Sequence, residues 1–163
     1  MKKPNITLKN IKHHAGLSQE THAFTATVYV DGKKFATVEN AGHGGPDNHH
    51  PVSGDYKDVQ KLNSLIGETF PRRGFEYNPE GYKEDLDGVI CDLVNEFLHK
   101  REFKKTLKKI AFIEDGKIYT LKAKYKPTPE ALESVAKAEW AKNVTLLNTL
   151  PETEAFELFK AHS

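Results

Sequence analysis

Alternating apolar and polar residues predict that the chain begins with three β-strands. Between residues 22 and 30, apolar side chains occupy every second position, which is the period of a strand with one buried face. Asp31-Gly32 supplies a two-residue hairpin turn, after which residues 34–39 return as the third strand. Residues 5–14 predict the first strand, with a bulge near Asn10 where the alternation slips. We therefore expect an antiparallel meander in the first forty residues.

Apolar residues at helical spacing predict four helices in the rest of the chain. The predicted helices span residues 55–69, residues from 83 onward, residues 129–140 with an extension over 144–150, and residues from 151 onward. Ser53 or Asp55 can cap the first of them, and Thr128-Pro129 is a strong start for the third. A second hairpin is predicted over residues 109–125, with its turn at Asp115-Gly116.

Runs of strands and runs of helices that are separate along the chain predict an α+β fold. The expected order is βββ-αα-ββ-αα, with both hairpins in one antiparallel sheet of about five strands and the helices packed on one face. Between the first two helices, the aromatic residues Phe75, Tyr77 and Tyr82 predict a loop that packs on the core. At 163 residues, the chain is expected to form a single α+β domain over residues 1–163.

The composition favours a cytoplasmic protein and excludes several classes of site. A net charge of +1 provides no overall field that would attract DNA or a membrane. Cys91 is the only cysteine, which excludes an internal disulfide and a cysteine zinc cluster, and its helical position predicts a small buried residue. No segment has the roughly 20 apolar residues of a membrane span, and the basic N-terminus lacks the apolar run of a secretory signal.

The segment from Ala41 to Pro51 is the main candidate site because it combines glycines, prolines, histidines and an aspartate. Its glycines can adopt φ > 0 and direct several backbone N–H groups toward one ligand. The candidate ligand-binding residues are Gly42, His43, Gly44, Gly45, Asp47, His49 and His50, with Arg72 and Arg73 as helpers. A solvated crossover loop, in which glycine serves geometry alone, is the simpler interpretation. The segment matches no standard catalytic motif, and no cofactor is identified.

The up-down-up path of the predicted strands places many histidines at one end of the sheet. The histidines expected at that end are His13, His14, His22, His43, His49 and His50. Imidazole and carboxylate groups suit zinc-like metals, so the metal-ligand candidates are His13, His43, Asp47, His49 and His50. Their spacing follows no known metal motif, and ordinary surface histidines are the alternative.

The same segment can also be interpreted as a phosphate or nucleotide-type anion site. The N–H groups of residues 42–45 would contact the anion, and Arg72 and Arg73 would supply positive charge. There is no Walker lysine and no glycine fingerprint of the dinucleotide-binding type. The acidic residues Glu84, Asp85 and Asp87 are interpreted as solvated charge on a helix face.

Residues 100–126 carry ten lysines and arginines against three acidic residues, which predicts a nucleic-acid contact. The helical candidates are Lys100, Arg101, Lys104, Lys105 and Lys108, and the strand candidates are Lys122 and Lys124. Tyr125 lies between basic residues of the strand, a pattern typical of surfaces that bind single strands. A solvated basic helix end is the alternative, because lysines are favoured near helix C-termini.

Two segments, residues 24–34 and 38–46, resemble small proteins of bacteriophages and mobile elements. The resemblance covers roughly the first third of the chain and implies a small cytoplasmic protein that binds a host protein or a nucleotide-type signal. Three interpretations stay open: a binding or regulatory protein that acts through residues 41–51, a metal-dependent hydrolase that uses the histidines, and a nucleic-acid-binding protein that uses residues 100–126. The absence of catalytic motifs favours the first.

Overall fold

The alternating N-terminal segments form one antiparallel sheet. In the computed structural model, which describes residues 1–75 and 77–163, the strand order of this sheet is β1-β2-β3-β4. Its strands are β1 (Ile6–His13), β2 (Phe24–Val30), β3 (Lys33–Asn40) and β4 (Asn48–Pro51). The predicted bulge is confirmed, because Asn10 has a φ of 55° and the pairing with β2 shifts beside it. The meander is also confirmed, and β4, which was not predicted, extends it.

One face of this sheet is buried and includes a histidine. Phe24, Ala26 and Val28 of β2 are buried, as their alternation predicts. Directly opposed residues of antiparallel strands share a face. Val38 of β3 pairs with Ala26 on one side and with His49 of β4 on the other, so all three belong to the buried face. The short strand β4 thus brings His49, which is 6% exposed, into an apolar surface.

Two helices and a hairpin follow the first sheet. These elements are α1 (Lys57–Thr69), β5 (Arg73–Phe75), β6 (Asn78–Tyr82) and α2 (Leu86–Thr106). The N-cap position of α1 is Tyr56, and the predicted cap residue Asp55 precedes it and accepts a hydrogen bond of 2.9 Å from the Lys57 N–H. The Leu86 N–H donates to the side-chain oxygen of Asn63 at 2.8 Å, which ties the start of α2 to α1.

The predicted aromatic loop over residues 75–82 is wrong. The described residues of this stretch belong to the β5–β6 hairpin, and Tyr77 and Tyr82 are exposed rather than packed on the core. Local backbone pairing therefore decides the conformation here, and aromatic burial does not. Glu76 and the side chain of Phe75 lie outside the described part of the chain.

The chain forms two compact units, Met1–Asn95 and Glu96–Ser163, and the division falls within α2. The later elements are β7 (Ala111–Glu114), β8 (Lys117–Thr120), α3 (Pro129–Ala136), β9 (Thr145–Leu146) and α4 (Glu152–His162). The hairpin turn at Asp115-Gly116 is confirmed by positive φ values of 48° and 72°. The Thr128 cap is also confirmed, because its hydroxyl accepts a hydrogen bond from the Ala131 N–H. The single-domain prediction stays a prediction.

The α+β class and the antiparallel pairing are confirmed, but the two hairpins do not share one sheet. In the second unit the strand order is β8-β7-β9, so β7 has a partner on both sides. The partner β9 lies within residues 144–150, where an extension of the third helix was expected. Asn148 explains this difference, since its side chain bonds the Ala111 N–H and the carbonyls of Leu107 and Lys109. These bonds hold the segment beside the start of β7.

The small sheet of the second unit separates two apolar clusters. Phe103 of α2, Ala111 of β7 and Phe159 of α4 belong to the first cluster. Ile110 and Phe112 belong to the second, together with residues of α3. Successive residues of β7 therefore contribute to opposite faces, as strand geometry requires. Within the described residues, no helix combines the length and the apolar character needed to cross a membrane.

Candidate metal centre

Asp47, His49 and Asp87 converge where the start of α2 meets β4. The Nε2 atom of His49 lies 2.6 Å from Oδ1 of Asp87, and the Asp47 N–H donates to Oδ2 of Asp87 at 3.1 Å. One potential ligand atom from each of the three residues lies within 4.8 Å of the others. The β3–β4 segment supplies two of these residues and α2 supplies the third, so only the folded first unit assembles the group.

Asn40, at the end of β3, positions Asp47 through a chain of hydrogen bonds. Its amide nitrogen donates to Oδ1 of Asp47 at 2.8 Å and to the Gly45 carbonyl at 3.1 Å. Its amide oxygen accepts from the Thr21 hydroxyl at 2.9 Å and from the Gly42 N–H at 2.8 Å. These partners assign the amide orientation, because the donor and acceptor ends each meet complementary groups. Asn40 therefore holds Asp47 in place within the loop that joins β3 to β4.

The pKa values of the two neighbouring carboxyl groups, Asp47 and Asp87, are shifted in opposite directions. Burial raises the pKa of Asp47, the hydrogen bond from Asn40 opposes this rise, and the charge of Asp87 adds to it. Burial acts in the same upward direction on Asp87, but the hydrogen bonds from His49 and from the Asp47 N–H outweigh it and lower the pKa of Asp87. Asp87 therefore keeps its charge more firmly than Asp47.

His49 carries a buried nitrogen that has no hydrogen-bond partner. Its side chain is 2% exposed, and Nδ1 contacts no donor or acceptor within the described residues. The tautomer with the proton on Nε2 donates to Asp87 and leaves only a lone pair on Nδ1. Buried polar atoms without partners are rare in native proteins, so this ring is not explained by packing alone.

A cleft of about 360 Å³ borders Asp47 and Asp87. Known ligand pockets measure roughly 300–1,000 Å³, so the cleft can hold a small molecule. Residues Asp87, Cys91 and Asn95 recur every four positions along α2 and so lie on one face of the helix. Cys91 lines the cleft, and Asn95 bonds Nε2 of His22, another lining residue, at 2.8 Å.

The prediction that Cys91 is buried is wrong, because its helix face borders the cleft and the residue is exposed. Partial burial raises the pKa of the Cys91 thiol, and the charge of Asp92 adds to that effect. Reactive cysteines have lowered pKa values that favour the thiolate. These surroundings therefore disfavour the thiolate form of Cys91.

The histidines predicted to gather at one end of the sheet lie in different surroundings, and His50 pairs with Thr37 within β3. The rings of His13 and His22 lie 5.3 Å apart, edge to face. His43 contacts Gln19, and His50 lies 3.5 Å from Glu39. His49 and His50 are adjacent in a strand and so point to opposite faces of the sheet. Among the described residues, the predicted ligands that meet are Asp47 and His49.

Asp87 was missed as a member of the site. Its place among other acids at the start of a helix indicated solvated charge, and carboxylates are common there because they interact favourably with the helix dipole. In the structure its side chain is 37% exposed and contacts both His49 and Asp47. No local pattern distinguishes it from Glu84 or Asp85, since its role depends on which helix end meets β4.

Two of the N–H groups in the glycine segment are already bonded within the protein. The N–H of Gly42 donates to Asn40, and that of Gly44 donates to the Thr21 hydroxyl. At Gly42, where φ is 86°, a Cβ atom would meet the carbonyl oxygen of Leu17. Gly42 is therefore required because two loops approach each other closely at this position. This role differs from the predicted one, in which the glycine would help to bind a phosphate.

Arg72 and Arg73 are engaged away from the glycine segment. The Arg72 guanidinium donates to the carbonyls of Glu80 and Gly81 in β6. Arg73 forms ion pairs with Glu84 at 2.8 Å and with Asp92 at 2.6 Å. The hydrogen bonds to Asp92 and Glu84 raise the pKa of the Arg73 guanidinium. These partners give both arginines a structural role at the β5–β6 hairpin.

The basic residues predicted to form one nucleic-acid-binding patch in the second unit lie in different surroundings. Lys100 and Lys105 form ion pairs with Glu96 and Glu102, and Arg101 lies over the ring of Phe97. The helix face that carries Phe103 packs on one side of the small sheet, whereas Phe112 contributes to the cluster on the other side. The strand β8 ends at Thr120, so the predicted strand candidates Lys122 and Lys124 lie beyond it in a turn. Lys104 of α2 and Lys108, which lies in the turn after the helix ends at Thr106, border a groove beside Phe103.

Two carboxylates and one imidazole form a donor set that suits a divalent metal ion such as Zn²⁺ or Mn²⁺. Two negative charges would balance the charge of such an ion, and the cleft beside it leaves room for a further ligand. No protein-family model, no curated protein and no solved structure matches the chain.

Proposed function

We propose that the first unit binds a divalent metal ion through Asp47, His49 and Asp87, and that the ion holds a small ligand in the adjacent cleft. The observation that carries this proposal is the convergence of these three side chains, with ligand atoms within 4.8 Å of one another. Asp47 and His49 come from residues 41–51, for which the sequence favoured contact with a host protein or a nucleotide-type ligand and offered metal binding as an alternative.

Distances and charges support the proposal. Zinc lies about 2.0–2.2 Å from carboxylate oxygen and imidazole nitrogen atoms, so small side-chain rotations would bring all three donors onto one ion. Nε2 of His49 would coordinate the ion in place of its hydrogen bond to Asp87, and its proton would move to Nδ1. Because the two carboxyl groups must be ionised to coordinate the ion, metal binding should strengthen as the pH rises.

The surroundings of His49 indicate that the site binds a metal ion with moderate affinity. Histidine ligands usually donate their second ring N–H to an acceptor, which increases the basicity of the ring. Nδ1 of His49 has no such partner among the residues that the structure describes. The two carboxylates would then provide most of the attraction, and we expect weaker binding than at sites with a complete outer shell.

A metal-dependent hydrolase is a second candidate. A bound divalent ion supplies Lewis acidity and lowers the pKa of a coordinated water. The opposite displacement of the Asp47 and Asp87 pKa values favours this candidate, because such separation is typical of acid–base pairs. In this candidate His49 and Asp87 would hold the ion, and Asp47, whose pKa is raised, would accept a proton instead of coordinating the ion.

Calorimetric titration of the chelator-treated protein, purified without a histidine tag, tests the metal site. We expect one Zn²⁺ or Mn²⁺ ion per chain and no comparable binding of Mg²⁺ or Ca²⁺, which prefer oxygen ligands. At a free metal concentration about 100 times the Kd, binding adds about 2.7 kcal/mol of stability, which corresponds to a rise in Tm of about 5–10 °C.

The variant Asp47→Asn should weaken metal binding by at least about tenfold without removing a buried side chain. His50→Ala is the matched control, since it removes the neighbouring imidazole on the opposite face of β4 and should leave the affinity unchanged. The absence of both heat and thermal stabilisation in the wild type would contradict the proposal. Equal effects of the two substitutions would show that the metal binds elsewhere.

A further inference from the structure

Two partly exposed aromatic rings lie on one buried phenylalanine in the second unit. Phe112 of β7 stacks with Tyr119 of β8 at 5.7 Å between centroids, and Trp140 lies 5.2 Å from Phe112 at an angle of 58°. Tyr119 is 43% exposed and Trp140 is 45% exposed, whereas Phe112 is 8% exposed. Cross-strand pairing places Phe112 and Tyr119 on the same sheet face. The buried ring thus holds two aromatic surfaces at the edge of the solvent.

The chain that continues from Tyr119 is basic and lacks acidic neighbours in sequence. Residues 117–126 contain four lysines, two tyrosines and no acidic residue. Lys122, Lys124 and Lys126 are exposed, and within the described part of the chain no carboxylate forms an ion pair with them. Lys124 lies 5.0 Å from the ring centroid of Tyr125, which is itself 50% exposed.

These lysines stay close to the aromatic rings. The Leu121 N–H donates to the Ile110 carbonyl at 2.9 Å, so the pairing of the hairpin continues one step beyond β8. Lys122 is three positions after Tyr119 in the sequence, so their Cα atoms are at most about 11 Å apart. Positive charge and aromatic faces therefore occur side by side on one short segment.

We propose that this aromatic–lysine surface, formed by Tyr119, Lys122, Lys124, Tyr125 and Trp140, binds single-stranded nucleic acid. Bases would stack on the exposed rings, and the backbone phosphates would contact the lysines. A duplex would engage the lysines alone, because its base faces are covered by their neighbours. The surface differs from the predicted basic patch, since it excludes the helix lysines and includes Trp140.

Charge and ring exposure together favour this partner over an acidic peptide. Lysines elsewhere in the unit, such as Lys137 and Lys142, have their charge matched by Glu133 and Glu139. The unpaired lysines instead lie on the segment that also carries exposed tyrosines. An acidic peptide would use the charge but would leave the stacking surfaces without a partner.

Fluorescence titration of the full chain with a short oligothymidine tests the proposal, because Trp140 is the only tryptophan. We expect saturable quenching of Trp140 at low salt. Phosphate contacts by Lys122, Lys124 and the neighbouring exposed Lys126 predict a slope of log K against log salt of about −2 for a single strand. Tyr119→Ala should weaken binding about tenfold through the loss of one stacked base.

The double variant Lys122→Gln/Lys124→Gln should reduce the salt slope to about −1 and is expected to fold normally, because both side chains are exposed. The double variant Lys137→Gln/Lys142→Gln removes the same charge from ion-paired positions and should bind like the wild type. Anisotropy of a labelled oligonucleotide measures binding in all variants, including Trp140→Phe.

Three outcomes would overturn the proposal. The first is no quenching at low salt. The second is equal quenching and affinity with a duplex or with heparin, which would indicate attraction by charge alone. The third is stronger quenching by an acidic peptide than by the oligothymidine. None of them affects the metal proposal, which concerns other residues and is measured by calorimetry.

Discussion

The two units of the chain differ in charge and in the surroundings of their reactive groups. The first unit has 13 acidic residues against 11 lysines and arginines, and the second has 10 against 13, so their formal charges are −2 and +3. In the first unit, carboxylates and a histidine border a cleft. In the second, lysines and aromatic rings are exposed on an open surface. The total formal charge of +1 is therefore the sum of a negative first unit and a positive second unit.

The two candidate sites also differ in the sequence distance between their parts. Asp47 and Asp87 are 40 residues apart, and Asn40 and Thr21 hold the loop that joins the first of them to β3. Tyr119 to Tyr125 is one continuous segment, to which tertiary contact adds only Trp140. A site assembled from distant parts depends on the whole unit for its geometry. We therefore expect its function to be lost with small losses of packing, whereas the aromatic–lysine surface should tolerate them.

The largest expected effect is the loss of a fully buried side chain in either unit. Ile66 in α1 and Leu147 in the second unit are both 0% exposed. Ile66→Ala and Leu147→Ala should each lower the free energy of unfolding by about 2–5 kcal/mol, because the lost contacts leave a cavity. Hydrogen exchange measured residue by residue would report which amides lose protection. Ile66→Ala should weaken metal binding, and Leu147→Ala should not.

An intermediate effect is expected when His49 loses its partner. Asp87→Ala leaves a buried imidazole without any hydrogen bond and should cost about 1–3 kcal/mol in chemical denaturation. Glu39→Ala removes the exposed partner of His50 and should cost less than about 1 kcal/mol. Equal losses of unfolding free energy in the two variants would mean that the His49–Asp87 pair stabilises the fold no more than a surface contact does. That result would contradict the predicted difference between a buried pair and an exposed pair.

The smallest expected effect is the pH dependence of the two carboxyl groups. The lowered pKa of Asp87 stabilises the fold above its ordinary value of 3.8, and this contribution is lost as the pH falls through the folded value. The raised pKa of Asp47 acts in the opposite sense, because its ionisation is less favourable in the folded state. NMR titration of the side-chain carboxyl signals should give a midpoint below 3.8 for Asp87 and above 3.8 for Asp47. Midpoints in the reverse order would refute the assigned contacts.

Elements with a strong local signal were predicted well. The alternation in β2 and the turn at Asp31-Gly32 predicted the first hairpin, and Thr128 predicted the start of α3. These features depend on residues that are close in sequence. The short strands β4 and β9 were missed, because two to four residues carry too little periodicity to separate a strand from a loop. Each exists because a neighbouring strand offers it a partner.

The candidate metal centre was predicted only in part. The glycine- and histidine-rich segment correctly indicated Asp47 and His49 as neighbours in the fold. The expected set of histidines divided because adjacent residues of β4 point to opposite faces, which was not foreseen while the segment was interpreted as a loop. Asp87 and the partners of Arg73 depend on contacts between elements that are far apart in the chain.

The sequence by itself determined the α+β class, the first meander, the hairpin turns, the cap of α3 and the basic character of residues 100–126. Each of these features follows from the types and the spacing of residues that are close together in the sequence. Only the tertiary structure decided that the hairpins belong to separate sheets, that Asp87 meets His49, and that Trp140 lies beside Tyr119. The physical reason is that such contacts depend on how buried surfaces of distant elements fit together, and local periodicity carries no information about that fit.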